Sequence, residues 1–129
     1  MPKVLLSASG ALMDAVPDDI VPACAKWIEV KHNKAKANLP EVSQGCELVE
    51  VSITKGDYIV WFSNGGQFTV DFDKGKGSPF KAGKTFTVPA KGIKSSGFPT
   101  PNIPLGKYGY HVIDAQGNRS ADPDVIIRP

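Results

Sequence analysis

The chain has 129 residues, 41% of them hydrophobic, with 15 Lys and Arg against 13 Asp and Glu. That length holds one domain, 1–129, able to bury a core, and the near-average composition excludes wholesale disorder and a coiled coil. The formal charge of +2 rests on 13 lysines and only two arginines, Arg119 and Arg128, so the bidentate fork that suits nucleic acid is scarce and no nucleic-acid partner is expected.

Thirteen glycines and 11 prolines are scattered without a period, which predicts many turns between short strands rather than a helical bundle. The apolar run Val4-Leu5-Leu6 is too short for a signal segment or a membrane span. With Met1 as the native start the protein is expected in the cytoplasm; a trimmed mature form would be periplasmic or secreted. Cys24 and Cys46 lack any CxxC spacing and read as small buried hydrophobes, the alternative being a mutual disulfide, which would imply export.

In chain order, residues 1–26 are a less regular N-terminal segment, with a short strand over 3–7 and at most one helical turn between Asp18 and Pro22. Period-two alternation then predicts strands starting at Trp27 and over 46–54, where Val49, Val51 and Ile53 share a face. After the Lys55-Gly56-Asp57 turn, the apolar run 58–63 reads as a central strand buried on both faces. Asn64-Gly65-Gly66 predicts a tight hairpin through positive φ, with its partner strand over 67–73. Further strands are expected at 84–88, 107–114 and 125–127, with a long Gly/Pro/Ser loop over 91–104 and a turn at Gln116-Gly117-Asn118. The sum is an all-β fold, an antiparallel two-sheet Greek-key sandwich of seven to eight strands.

Four pieces carry a family resemblance: VSITKGDYIVWFSN (51–64), QFTVDF (67–72), KAGKTF (81–86) and GKYGYHV (106–112). Their order and spacing resemble the cupredoxins, the plastocyanin- and azurin-type sandwiches, over about 60% of the chain. The resemblance implies a blue copper centre, which needs two His, a Cys thiolate and usually an axial Met. It would put the first His at Gln67 and the Cys at Val112, and no His, Cys or Met follows residue 112. An aliphatic side chain donates nothing to a metal, so no blue copper site and no cofactor are expected.

Other chemistry-bearing patterns are thin. His32 and His111 are the only imidazoles, and no Gly-x-Ser-x-Gly elbow or catalytic Cys signature occurs. The carboxylate pairs Asp71/Asp73 and Asp122/Asp124 read as solvated strand ends, and Gly-Lys-Gly at 75–77 lacks phosphate-loop spacing. One asymmetry stands out: no acid lies between Asp73 and Asp114, while seven lysines do. Gathered at one end, those loops would form a basic rim for an acidic protein, glycan or headgroup. The sequence therefore reads as a non-enzymatic binding or structural module, with Lys74, Lys76, Lys81, Lys84, Lys91, Lys94 and Phe98 as candidate partner-binding residues. The alternative is a metal-binding or electron-transfer protein with a non-standard site.

Overall fold

The computed structural model describes residues 25–119 and 123–129, with the backbone alone at Lys36. Cys24, Asp122, the strand expected over 3–7 and the turn after Asp18 lie outside the described residues. Among the described residues ten strands run in order: β1 (Ala25–Asn33), β2 (Leu39–Val42), β3 (Leu48–Ser52), β4 (Tyr58–Phe62), β5 (Phe68–Asp71), β6 (Thr85–Val88), β7 (Ile93–Ser95), β8 (Gly106–Gly109), β9 (His111–Asp114) and β10 (Asp124–Arg128). Among the described residues there is no α-helix, only a 3-10 turn at Lys34–Lys36, so the all-β expectation holds.

The strands form three sheets, none closed into a barrel, in the orders β2-β1-β4-β7, β3-β10-β8 and β6-β5-β9. Two pairings are parallel, β1 with β4 and β3 with β10, where the sequence predicted an antiparallel arrangement throughout. Parallel neighbours need a long crossover, and the chain between each pair is long enough to supply one. The strand count also exceeds the seven or eight expected. The stretch over 107–114 is divided at Tyr110: β8 pairs with β10, whereas β9 pairs with β5. At the division the Tyr110 N–H donates to the Pro123 carbonyl. The loop expected over 91–104 contains β7, which pairs with β4.

A further correction concerns Asn64-Gly65-Gly66. Its two flanking strands belong to different sheets, so the turn is a crossing between layers rather than a hairpin. Neither Gly65 nor Gly66 has positive φ. The crossing is tied instead by Ser63, whose hydroxyl donates to the Gly66 carbonyl (2.6 Å) and accepts from the Gly65 N–H (3.1 Å).

β4 is buried over Ile59, Val60 and Trp61, as its apolar run predicts. On one face Trp61 meets Phe72, Phe80, Phe86 and Tyr110 from beyond its own sheet, at ring-centroid distances of 5.1 to 6.3 Å. These tilted and edge-on contacts avoid stacked quadrupoles and lock the layers together. The Trp61 indole N–H also donates to the Tyr110 hydroxyl, at 3.4 Å. Burial raises the Tyr110 phenol pKa well above its ordinary value. On the other face Trp27 packs edge-on against Phe62, and Phe98 against Tyr58.

Candidate functional site

Strand direction assigns each candidate residue to an end of the fold. β6 separates Lys84, which precedes it, from Lys91, which follows it. Lys91 donates its N–H to the Gly65 carbonyl and so belongs with the layer-crossing turn. Lys94 lies midway, on the exposed strand β7 opposite Trp61. Lys74, Lys76, Lys81 and Lys84 occupy the β5–β6 connection at the other end, and this connection is joined to the loop carrying Phe98. Phe80 bridges Pro99, the Lys81 N–H donates to the Phe98 carbonyl, and Thr100 donates to Pro79. The structure therefore brings five of the seven candidates together and leaves Lys91 and Lys94 apart.

Further cations converge on the same end, three of them (Lys26, Lys55 and Arg128) from outside the acid-free stretch that the sequence singled out. Lys26 opens β1, Lys55 sits in the β3–β4 turn, Lys107 lies in β8 and Arg128 ends β10. Lys76 Nζ lies 4.8 Å from the centre of the Tyr108 ring, a cation–π contact on a buried aromatic. The Tyr108 hydroxyl donates to the Pro104 carbonyl (2.5 Å), and burial raises its pKa. This contact anchors the proline-containing loop at its β8 end.

Two acids, Asp57 and Glu50, lie among these cations. Asp57 is buried; one carboxylate oxygen accepts the Ser52 N–H (2.9 Å) and lies 3.8 Å from Lys26 Nζ. Its other oxygen is buried with no hydrogen-bond partner. Glu50 pairs with the Arg128 Nε at 3.1 Å. Lys26, Glu50, Ser52, Lys55, Asp57, Arg128 and Pro129 line a polar cleft of about 430 Å³. Lys26, Asp57 and Arg128 are far apart in sequence, and only the neighbouring starts of β1 and β4 and the ends of β3 and β10 make them one site.

The two histidines each meet a carboxylate, and not the same one. His32 Nε2 lies 3.0 Å from Asp114 Oδ2, with its ring 5.0 Å from that of Phe68. His111 Nδ1 lies 2.6 Å from Asp73 Oδ1, and Arg119 donates to the other Asp73 oxygen. Asp73 is thus an exposed carboxylate just past the end of β5, as expected, held in a mixed-charge cluster. Burial opposes its ionisation, but the bonds from His111 and Arg119 prevail and lower its pKa. Among the described residues no group of three or more His, Cys, Asp or Glu could hold a metal ion. Cys46 is a half-buried free thiol beside the Ser43 hydroxyl.

Among the described residues, no helix is long and apolar enough to cross a membrane. No family model matches the chain, and neither a curated protein nor a solved structure is detectably similar to it.

Proposed function

We propose that the protein is a non-enzymatic binding module on a cupredoxin-like sandwich without a blue copper centre. The fold part of this reading is supported by where the four resembling pieces lie. They become β3 with β4, then β5, β6 and β8 with β9, and Val51, Trp61, Phe72, Phe86 and Tyr110 from them share one core. The Greek-key description is part of the same proposal.

The donor chemistry favours a site without copper. Val112 is fully buried and aliphatic, and Gln67 is exposed. The segment after Val112 folds around Asp114, whose carboxylate takes N–H bonds from Gln116 and Asn118 and meets His32. The rival metal-binding reading is tested by copper titration: a thiolate charge-transfer band or stoichiometric bound metal would establish it.

One observation carries the binding reading, the gathering of exposed lysines from separate segments at one end, where the acids are buried or paired. Such a surface focuses a positive potential and steers an acidic protein or glycan towards it. The test is titration of the protein with heparan sulfate and with polyglutamate, followed by amide chemical shifts. Shifts should centre on the β5–β6 connection, and Lys76→Glu with Lys81→Glu should weaken binding. If Lys91→Glu with Lys94→Glu weakens it equally, the surface is wrongly assigned; if neither polyanion binds, the module reading fails.

A further inference from the structure

Resting on the binding-module reading, we propose that the basic end docks on an anionic lipid bilayer. The exposed lysines Lys55, Lys76 and Lys81 would meet phosphate-bearing headgroups, and Phe98, Leu105 and Ile53 would enter the interfacial layer.

Three exposed apolar side chains stand at this basic end, each on a segment bonded to or packed against one that lines the cleft. Ile53 is 41% exposed, and its N–H donates to the carbonyl of Arg128. Leu105 is 51% exposed and immediately precedes Gly106, which pairs with Ile127, the residue before Arg128. Phe98 is 57% exposed and rests edge-on against Tyr58, the neighbour of Asp57. Exposed apolar side chains and exposed lysines thus share this end, with Lys76 and Lys81 on the β5–β6 connection.

This combination matches a bilayer surface better than a folded acidic partner. A bilayer offers a diffuse plane of negative charge above an apolar layer, so it rewards mobile point charges around protruding hydrophobic side chains. Lysine is that point charge; fixed carboxylates on a protein would be met more selectively by the planar fork of arginine. At this end lysines outnumber arginines, and Arg128 is already shared with Glu50 and Arg119 with Asp73. Near an anionic leaflet each basic side chain is worth about fivefold in partitioning, an attraction that added salt screens. The prolines at 99, 101 and 104 restrict the loop bearing Phe98 and Leu105, which lowers the ordering entropy lost on docking.

The test is co-sedimentation of the full chain with vesicles of phosphatidylcholine alone and of phosphatidylcholine doped with phosphatidylserine, beside heparan sulfate and polyglutamate as soluble polyanions. Binding is expected on the doped vesicles only, weakening as salt is added. Phe98→Ser with Leu105→Ser should weaken vesicle binding about tenfold and leave heparan sulfate binding unchanged. Lys55→Glu with Arg128→Glu should weaken both, with unchanged thermal midpoints showing that each variant folds. Binding to a soluble polyanion without vesicle binding would overturn the lipid inference while the module reading stands. Absence of both would overturn the two together. Vesicle binding that survives the double serine change would overturn the entry of Phe98 and Leu105 into the bilayer.

Discussion

The imidazole of His32, near the end of β1, meets the carboxylate of Asp114, at the end of β9, at 3.0 Å across 82 positions of sequence. The Asp114 side chain is 2% exposed, and it also accepts from the backbone N–H of Gln116 and Asn118 and from the Asn118 amide. Burial alone would raise its pKa, yet the bonds from His32 and the turn outweigh burial and hold it down at about 2. A lowered folded-state pKa contributes stability that is complete above the ordinary carboxylate value and is lost as pH falls through the folded value. Stability should therefore decline as pH drops from about 4 towards 2. Asp114→Ala should cost about 2 to 3 kcal/mol at neutral pH, by leaving several donors unpaired, and should flatten that decline. Urea unfolding at a series of pH values measures both, and an unchanged acid slope in the variant would show that Asp114 is not its source.

Asp73 is the contrasting case. It too has a lowered pKa from a histidine and an arginine, but the Arg119 side chain is about half exposed. Solvent screens such a pair, so Asp73→Asn should cost no more than about 1 kcal/mol at neutral pH. A loss comparable to that of Asp114→Ala would mean that the Asp73 cluster organises the outer face of β5 and β9.

The layer-crossing turn distinguishes two glycines. An added Cβ at Gly65 meets nothing within 4 Å, and its φ is not positive. Gly65→Ala should therefore stabilise by about 0.5 kcal/mol, by restricting the unfolded chain. At Gly92 the same Cβ would stand 2.6 Å from the ring of Pro89, which cannot swing away. Gly92→Ala should cost about 1 to 3 kcal/mol through overpacking. Thermal midpoints of the pair decide it: destabilisation by Gly65→Ala would restore the positive-φ hairpin that the structure replaces.

Ser96 tests the junction between β4 and the loop after β7. It is fully buried; its hydroxyl accepts the Ile59 N–H (2.9 Å) and donates to the Gly97 carbonyl (2.7 Å). Ser96→Ala should cost about 1 to 3 kcal/mol because it removes the hydroxyl that both the Ile59 N–H and the Gly97 carbonyl use. Ser95, one residue earlier and exposed, should tolerate alanine with little change beyond its bond to the Gly97 N–H. Equal losses at the two positions, read by urea denaturation, would contradict this assignment of burial.

The sequence by itself determined the all-β class, the buried run of β4 and the alternating faces of β5 and β6, because period-two patterning and apolar runs are local signals of which face is buried. It also marked the acid-free lysine stretch and the lack of copper donors at Gln67 and Val112. Which strands pair is a non-local matter. Asn64-Gly65-Gly66 serves a hairpin and a layer crossing equally well, and only tertiary packing placed β4 beside β1 and β5 beside β9. The same distance in sequence hid the pairing of His32 with Asp114 and the cleft formed by Lys26, Asp57 and Arg128. The seven lysines were legible as a composition, but the separation of Lys91 and Lys94 from the other five followed from the directions of β6 and β7, which only the paired sheets define.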